Sequence, residues 1–370
     1  MSSTKPTLVL DTECFKDYFL VMFRSVEKGT VRAFEKWPGQ PLDTGVIAQI
    51  LNHYRIVTFN GMNYDMPMLT LALTGVSNER LKQASDWIIL GNNRGWQFYD
   101  HFDLTAPTDI DHIDLIEVAF GQGSLKLYGG RLHSRRLQDL PLDPDASIGP
   151  EDRDRLKHYC ENDLDTTLDL WRNLAEQIAL RERMTEQYEI DLRSKSDAQI
   201  AEAVIRQEVA RRLGRRVAKP DIPTGTRFRY LPPSFLRFRT PQMQTKLAEI
   251  AAAEFEVDGN GEPVEPPALE GQVIAIGSGR YRLGIGGLHS SEKKVAHHAD
   301  EQTMLMDVDV TSFYPYIILL CGLYPKHLTD VFLVVYRDIV EGRVRAKRLA
   351  AQLKVRLAEL ERELRDATTS

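Results

Sequence analysis

Apolar residues fall into short clustered runs near the N-terminus and into longer helical rows further along, and the two periods predict different elements. Residues 7–10 and 19–25 cluster or alternate apolar side chains as strands do, and Glu13-Cys14-Phe15-Lys16-Asp17 reads as the turn between them. Val31 to Phe34 predicts a third strand. Gly45 to Tyr54 predicts a short helix with Ile47, Ile50 and Leu51 on one face. Arg55 to Phe59 is a short buried strand that stops at the turn dipeptide Asn60-Gly61. A helix with Met66, Leu69 and Leu73 follows, then another over Asn78 to Ile89, and His112 to Leu115 is strand-like. Strands alternating with helices imply a sheet with helices on its faces, the α/β architecture.

From Pro150 the period lengthens. Pro150-Glu151-Asp152 opens a helix with acids in its first turn, where the helix dipole favours them. Leu156, Tyr159, Leu164, Leu168 and Trp171 carry this helix to about Arg183, and a second long helix is expected from about Thr185 to Leu213. Pro220, Pro223, Pro232 and Pro233 mark an extended linker, and a helix follows near Pro241 to Ala253. Asp258-Gly259-Asn260-Gly261 is a hairpin signal. Val273 to Ile276 and Tyr281 to Ile285 read as paired strands across Gly277-Ser278-Gly279, and Met304 to Val310 as one more. The C-terminal stretch from Tyr336 to Asp366 is a charged helix whose apolar positions are Val344, Leu349, Leu353, Leu357 and Leu360. That stripe needs a mate, either a self-packed or coiled-coil partner or the rest of a half-domain.

The 370 residues suffice for two or three domains, and 42% hydrophobic with 27% charged content fits a soluble globular chain. No apolar run approaches the ~20 residues that cross a bilayer. The N-terminus runs directly into the first strand without a signal-peptide core. Cys14, Cys160 and Cys321 are too far apart in sequence for a disulfide framework or a zinc-ligand pair. A cytoplasmic protein with no membrane partner is the expectation. The net charge of −6 argues weakly against nucleic acid, but charge is unevenly distributed. Arg206, Arg211, Arg212, Arg215, Arg216, Lys219, Arg227, Arg229, Arg237 and Arg239 are opposed locally only by Glu208 and Asp221, with Phe228, Tyr230, Phe235 and Phe238 interleaved. A groove that tracks a nucleic-acid backbone and stacks bases has this composition. So does a solvated helix face followed by a structural linker.

The chemistry lies in acids spread over separate segments. Asp11 and Glu13 close the first strand, and residues two apart in a strand share a face. Asp65 follows the Asn60-Gly61-Met62-Asn63-Tyr64 turn, and Tyr159 and Asp163 lie one helical turn apart on one face. Clustered carboxylates do not all stay ionised without cations between them. Two Mg²⁺ or Mn²⁺ ions about 3.5–4 Å apart relieve that repulsion and clamp both oxygens of an in-line phosphoryl displacement. Hard oxygen ligands select these ions.

In this order the segments resemble the DEDDy exonucleases, closest to the proofreading domain of phage-type family-B DNA polymerases. Asp11 and Glu13 match the first motif, Asn60 to Asp65 the second, and Tyr159-Cys160-Glu161-Asn162-Asp163 the third. The resemblance covers about residues 7–185. It implies a ribonuclease-H-like domain that hydrolyses 3′-terminal phosphodiesters, with Asp11, Glu13, Asp65 and Asp163 on the metals and Tyr159 orienting the attacking water. Ser124-Leu125-Lys126-Leu127-Tyr128 resembles the family's motif for single-stranded DNA, so Asn60, Tyr64, Ser124 and Leu125 would hold the frayed 3′ end of a primer–template. Protein-primed relatives place a catalytic lysine before the third motif; Lys126 and Arg136 are both candidates here.

Asp309-Val310-Thr311-Ser312-Phe313-Tyr314-Pro315 resembles polymerase motif A, with Phe313 in place of leucine. The resemblance implies that Asp309 binds catalytic metal with help from the Val310 carbonyl, and that Tyr314 excludes a ribose 2′-hydroxyl. Gly286-Gly287-Leu288-His289 resembles the segment that links exonuclease and palm. No Asp-Thr-Asp hairpin or fingers lysine follows Asp309. The expected organisation is an exonuclease domain over 1–185, a helical and basic linker region over 186–253 with Arg227 and Arg229 on DNA, a partial α+β palm over 254–335, and a fingers-like helix over 336–370. Polymerisation then needs a second polypeptide that supplies fingers, remaining palm and thumb, as in a split polymerase. A non-catalytic DNA-binding assembly subunit is the contrasting expectation, which the presence of all four acids and Tyr159 opposes.

Overall fold

The computed structural model describes residues 5–121, 123–277, 279–291, 293–294 and 296–369. The chain forms two compact units, Met1–Val204 and Ile205–Ser370. The first is mixed α/β. Its elements are β1 (Thr7–Cys14), β2 (Phe19–Ser25), β3 (Val31–Lys36), α1 (Thr44–His53), β4 (Arg55–Thr58), α2 (Asp65–Leu73), α3 (Asn78–Ile89), α4 (Gly95–His101), β5 (His112–Asp114), α5 (Leu125–Arg131), α6 (Pro150–Asn173) and α7 (Ala175–Tyr188). A further helix, α8 (Asp197–Leu213), carries the chain into the second unit.

One five-stranded sheet of order β3-β2-β1-β4-β5 organises the first unit. β1 pairs antiparallel with β2 and parallel with β4, and β4 pairs parallel with β5, so the sheet is mixed. The alternation of β1 distributes its side chains between two cores. Leu8 and Leu10 pack with Ile47, Leu51, Met68, Leu69 and Leu81 of α1–α3. Val9 packs on the opposite face with Leu156, Cys160, Leu164 and Leu168 of α6. Full burial of Val9 and Leu164 contributes roughly 2 kcal/mol each.

Three expectations need correction here. β1 runs through Cys14 instead of yielding to a turn at Glu13, because the ladder to β2 continues to Cys14↔Phe19. The single helix expected from Pro150 to Arg183 divides at Leu174, whose side chain is drawn into a core with Leu170 and Ile178. The helix expected from Thr185 to Leu213 is interrupted as well. α7 ends at Glu189 in the left-handed region, with φ 57°, and α8 restarts after Ser196. Ser196 and Gln199 form a reciprocal cap, with Ser196 N donating to Gln199 Oε1 at 3.0 Å and Gln199 N to Ser196 Oγ at 3.4 Å. The intervening loop covers the edge strand β5. Asp114 N donates to Ser194 Oγ at 2.9 Å, and Arg193 pairs with Asp111 and Asp191.

The second unit contains β6 (Arg227–Arg229), α9 (Pro241–Ala252), β7 (Glu254–Val257), β8 (Pro263–Val264), β9 (Val273–Ile276), β10 (Gly279–Gly284), β11 (Gly287–Ser290), α10 (Phe313–Leu320) and α11 (Val331–Thr369). Two antiparallel three-stranded sheets form, β6-β7-β8 and β11-β10-β9. The hairpin expected at 258–261 joins β7 to β8. Ser278, in the expected turn between β9 and β10, lies outside the described residues. The strand expected over Met304–Val310 is not formed. A strand needs a ladder partner, and none among the described residues pairs with this stretch, which leaves Met304, Met306 and Val308 exposed. α10 buries none of its residues either. No helix among the described residues is long and apolar enough to cross a membrane.

Candidate active site

Strand alternation also dictates which layer supplies each acid. Asp11 and Glu13 continue the face of Val9, towards α6, while Thr12 continues the face of Leu10, towards α2. Tyr159, Cys160 and Asp163 approach from α6, and Asp65, the first residue of α2, approaches from the other layer. Thr12 Oγ1 donates to Asp65 Oδ1 at 2.7 Å, and the Cys160 thiol donates to Asp11 Oδ2 at 3.2 Å. Each layer is thus hydrogen-bonded to its side of β1.

The turn before Asp65 is held by a residue with no assigned role in the sequence reading. Asp114, buried at the end of β5, accepts from Asn60 N and Met62 N at 2.8 Å each and from Ile116 N at 3.1 Å. Asn60 takes a left-handed conformation, φ 64°, which asparagine tolerates better than most residues. The turn is compressed on both sides. A Cβ on Gly61 would lie 2.2 Å from Thr58 Oγ1, and one on Gly95 would lie 2.1 Å from the Met62 carbonyl oxygen. Tyr64 is fixed by its hydroxyl, 2.8 Å from Ser85 Oγ.

These side chains line one cleft of about 780 Å³, which includes Asp11, Glu13, Asn60, Tyr64, Asp65, Ser124, Leu125 and Tyr159. Ser124 also caps α5, accepting from Leu127 N at 3.3 Å. Asp163, one helical turn beyond Tyr159 on α6, is not among the residues that line the cleft, and Asn162 Nδ2 donates to its Oδ1 at 3.5 Å. Among the described residues, Asp11, Glu13 and Cys160 form a group whose ligand atoms lie within 4.8 Å of one another, a spacing that could hold a metal ion. Asp65 and Asp163 stand outside that group but within its electrostatic reach.

Burial raises all four carboxyls, and repulsion from neighbouring acids of the set adds to it at Asp11 and Glu13. Asp11 titrates well above the ordinary range through burial first, then the charges of Asp65, Glu13 and Asp163. Glu13 does so through burial, then Asp163 and Asp65, with Lys126 opposing. Asp65 is pushed up to about 7 by burial, against the bond from Thr12. Asp163 rises through burial, against its bond from Tyr159. Burial and the adjacent acids keep the Tyr159 hydroxyl and the Cys160 thiol protonated. A site of this kind gains energy by admitting cations.

Of the two candidate lysine positions, Lys126 lies 6.0 Å from the Tyr159 ring centroid and acts on Glu13 and Asp163. Arg136 lines a different cleft with Arg24 and Glu161. In the second unit, Asp309, Val310 and Tyr314 assemble no site among the described residues. Val310 and Tyr314 are 56% and 69% exposed, and Asp309 belongs to no metal-ligating group. Its expected strand platform is missing for want of a pairing partner. The basic segment is partly neutralised by acids distant in sequence. Arg227 pairs with Glu254 at 3.2 Å and Glu256 at 3.4 Å, and Arg212 with Asp338 at 2.8 Å. Phe228 stacks on Phe255, with ring centroids 5.5 Å apart, while Arg229 lines a cleft of about 590 Å³. Cys160, Thr12 and Asp114 were missed because each acts through a fold contact, although Cys160 does share a helix face with Asp163 at a three-residue spacing.

Comparison with models of known protein families, with curated proteins and with solved structures finds no match to this chain.

Proposed function

We propose that the first unit is a two-metal 3′→5′ exonuclease of ribonuclease-H-like architecture, the proofreading part of a family-B DNA polymerase. The observation that carries this reading is the convergence of Asp11 and Glu13 from β1 with Asp65 from α2 at one cleft, with Asp163 of α6 close enough that its charge, like that of Asp65, raises the proton affinity of Asp11 and Glu13. The sheet order, with three antiparallel strands, β3-β2-β1, continued by the parallel strands β4 and β5, supports the architecture.

The donor set fits hard divalent ions. It is composed of carboxylate oxygens, and the one sulfur is held as a thiol by burial, which withholds the thiolate that softer metals select. Asp11, Glu13, Asp65 and Asp163 would hold two Mg²⁺ or Mn²⁺, which when bound supply charge neutralisation of the phosphoryl group and activation of water. Tyr159, protonated and hydrogen-bonded to Asp163, orients a water by its hydroxyl. Asn60, Tyr64, Ser124 and Leu125 present polar and apolar surface to the terminal nucleotide of a single-stranded 3′ end. Hydrolysis breaks the bond between phosphorus and the 3′-oxygen of the preceding nucleotide, and releases a nucleoside 5′-monophosphate.

The test is a 5′-labelled single-stranded oligodeoxynucleotide incubated with Mn²⁺. Stepwise shortening from the 3′ end is expected, and its loss in Asp11→Asn and in Glu13→Gln. Absence of shortening by the wild type rejects the reading. A second reading, assembly with a polypeptide that completes a polymerase, is favoured by the uncovered apolar residues of 304–320. Primer extension by a complex with such a polypeptide, lost on Asp309→Asn, is the expected result.

A further inference from the structure

A cleft that receives a polyanion needs cations, and among the described residues lining this one Lys82 and Arg94 are the two that carry positive charge. Lys82, on α3, has its ammonium 2.6 Å from Asp86 Oδ1 and 2.5 Å from Asp145 Oδ1. Asp145 belongs to a strap over residues 139–149 that also borders the cleft through Leu140, Asp143 and Pro144. The strap is fastened independently of the Lys82 pair. Ile148, Leu142 and Ala146 pack on the core of Val9 and Leu156. Lys16 N donates to the Pro144 carbonyl at 3.1 Å, and Ile148 N donates to Asp17 Oδ1 at 2.9 Å.

Lys82 therefore has a second carboxylate that the strap does not need for its own anchorage. The two partners also differ in setting: the Lys82 side chain is 12% exposed and that of Asp145 81%. Asp145, exposed at its end of the pair, can swing into water, where hydration replaces the lost contact. Asp86, one helical turn along α3, stays beside Lys82 and keeps it aimed at the cleft. With Asp86 in place, the Asp145 oxygen on the Lys82 ammonium stands where a phosphodiester oxygen would bind.

We infer that Lys82 is a backbone-phosphate contact for the single-stranded substrate, and that Asp145 occupies this contact until a strand displaces it. The inference rests on the nuclease reading for its substrate class. The competing possibility is a clasp, in which the Lys82–Asp145 pair merely pins the strap.

The two differ in sign. Binding of a 5′-fluorescein single-stranded oligodeoxynucleotide is measured by anisotropy in Ca²⁺ over a range of salt. Asp145→Asn tightens binding about threefold at low salt, because one competitor for the lysine is gone. Lys82→Gln weakens binding about fivefold and lowers the log–log salt slope by about 0.7, the share of one phosphate on a single strand. Lys82→Arg restores both. Weakening by both substitutions, or change by neither, overturns the inference. Thermal melts of each variant separate unfolding from lost contact: a Lys82→Gln protein that melts as the wild type and keeps its affinity also overturns it. Cleavage of the same oligonucleotide by the wild type in Mn²⁺ reads the nuclease proposal separately, so cleavage accompanied by same-sign binding changes rejects the Lys82 inference alone.

Discussion

Asp65→Asn is expected to make the metal-free protein more stable while destroying its activity. Asp65 is 3% exposed, and its proton affinity is raised from the ordinary 3.8 to about 7. The folded protein thus holds this proton more tightly than the unfolded chain, so stability falls as pH rises from 3.8 towards about 7 and levels off above. A difference of about three pH units at about 1.4 kcal/mol each gives on the order of 4 kcal/mol of native-state cost above neutrality. Asparagine removes the charge and keeps an Oδ1 that accepts from Thr12, now donating at 2.7 Å. For a unit of this size about 2–4 °C accompanies each kcal/mol, so the variant should melt roughly 8–15 °C higher in EDTA at about pH 8. At about pH 5, where most wild-type molecules carry the proton, the gain should shrink to less than half. Adding Mg²⁺ or Mn²⁺ should stabilise the wild type much more than the variant. A melting temperature lowered by the substitution at about pH 8, or raised equally at both pH values, would refute the electrostatic account of the cleft.

Asp114→Asn should loosen the turn that precedes Asp65, because Asn60 N and Met62 N donate to different carboxylate oxygens and asparagine puts an NH2 in place of one of them. A cost of about 1–3 kcal/mol in urea denaturation is expected, with cleavage impaired, and an unchanged urea midpoint would show that the turn does not need the carboxylate. Glu189→Gly should stabilise by about 0.5–1 kcal/mol, since its φ of 57° strains a residue with a Cβ; destabilisation would mean that the glutamate side chain contributes more than its backbone costs. Ser196→Ala should cost about 1 kcal/mol through the lost cap of α8, read by the same titration.

The acids, the alternation of strands and helices, and the bounds of α3 were legible in the sequence, because each is a local pattern. The chain breaks after Leu174 and Glu189 were not, although the Ser196-Asp197-Ala198-Gln199 cap stood in the sequence as a restart signal. Leu174 has no such marker: no glycine or proline precedes α7, and the division comes from tertiary burial. The basic segment over 206–239 appeared unopposed because Glu254, Glu256 and Asp338 lie beyond it in sequence. The partnership of Asp114 with the 60–62 turn depends on the parallel register Thr58↔Asp114 of β4 and β5, which no local window contains. Motif resemblance located Asp309 but not its surroundings, since a strand is a property of a pair.

α11 is 39 residues long, about 58 Å from end to end. Val335 and Val340 are buried near its start, whereas Leu349, Leu353, Leu357, Leu360 and Leu364 lie open to solvent. Ion pairs such as Arg356–Glu359 and Arg345–Glu341 add only a few tenths of a kcal/mol apiece. The solvent-exposed leucines give its outer two-thirds little apolar burial, so that part should melt more gradually than the buried start of the helix. Circular dichroism of the protein should accordingly show a sloping loss of helical signal on warming, well before the cooperative collapse of the five-stranded unit, and amide protons there should exchange first.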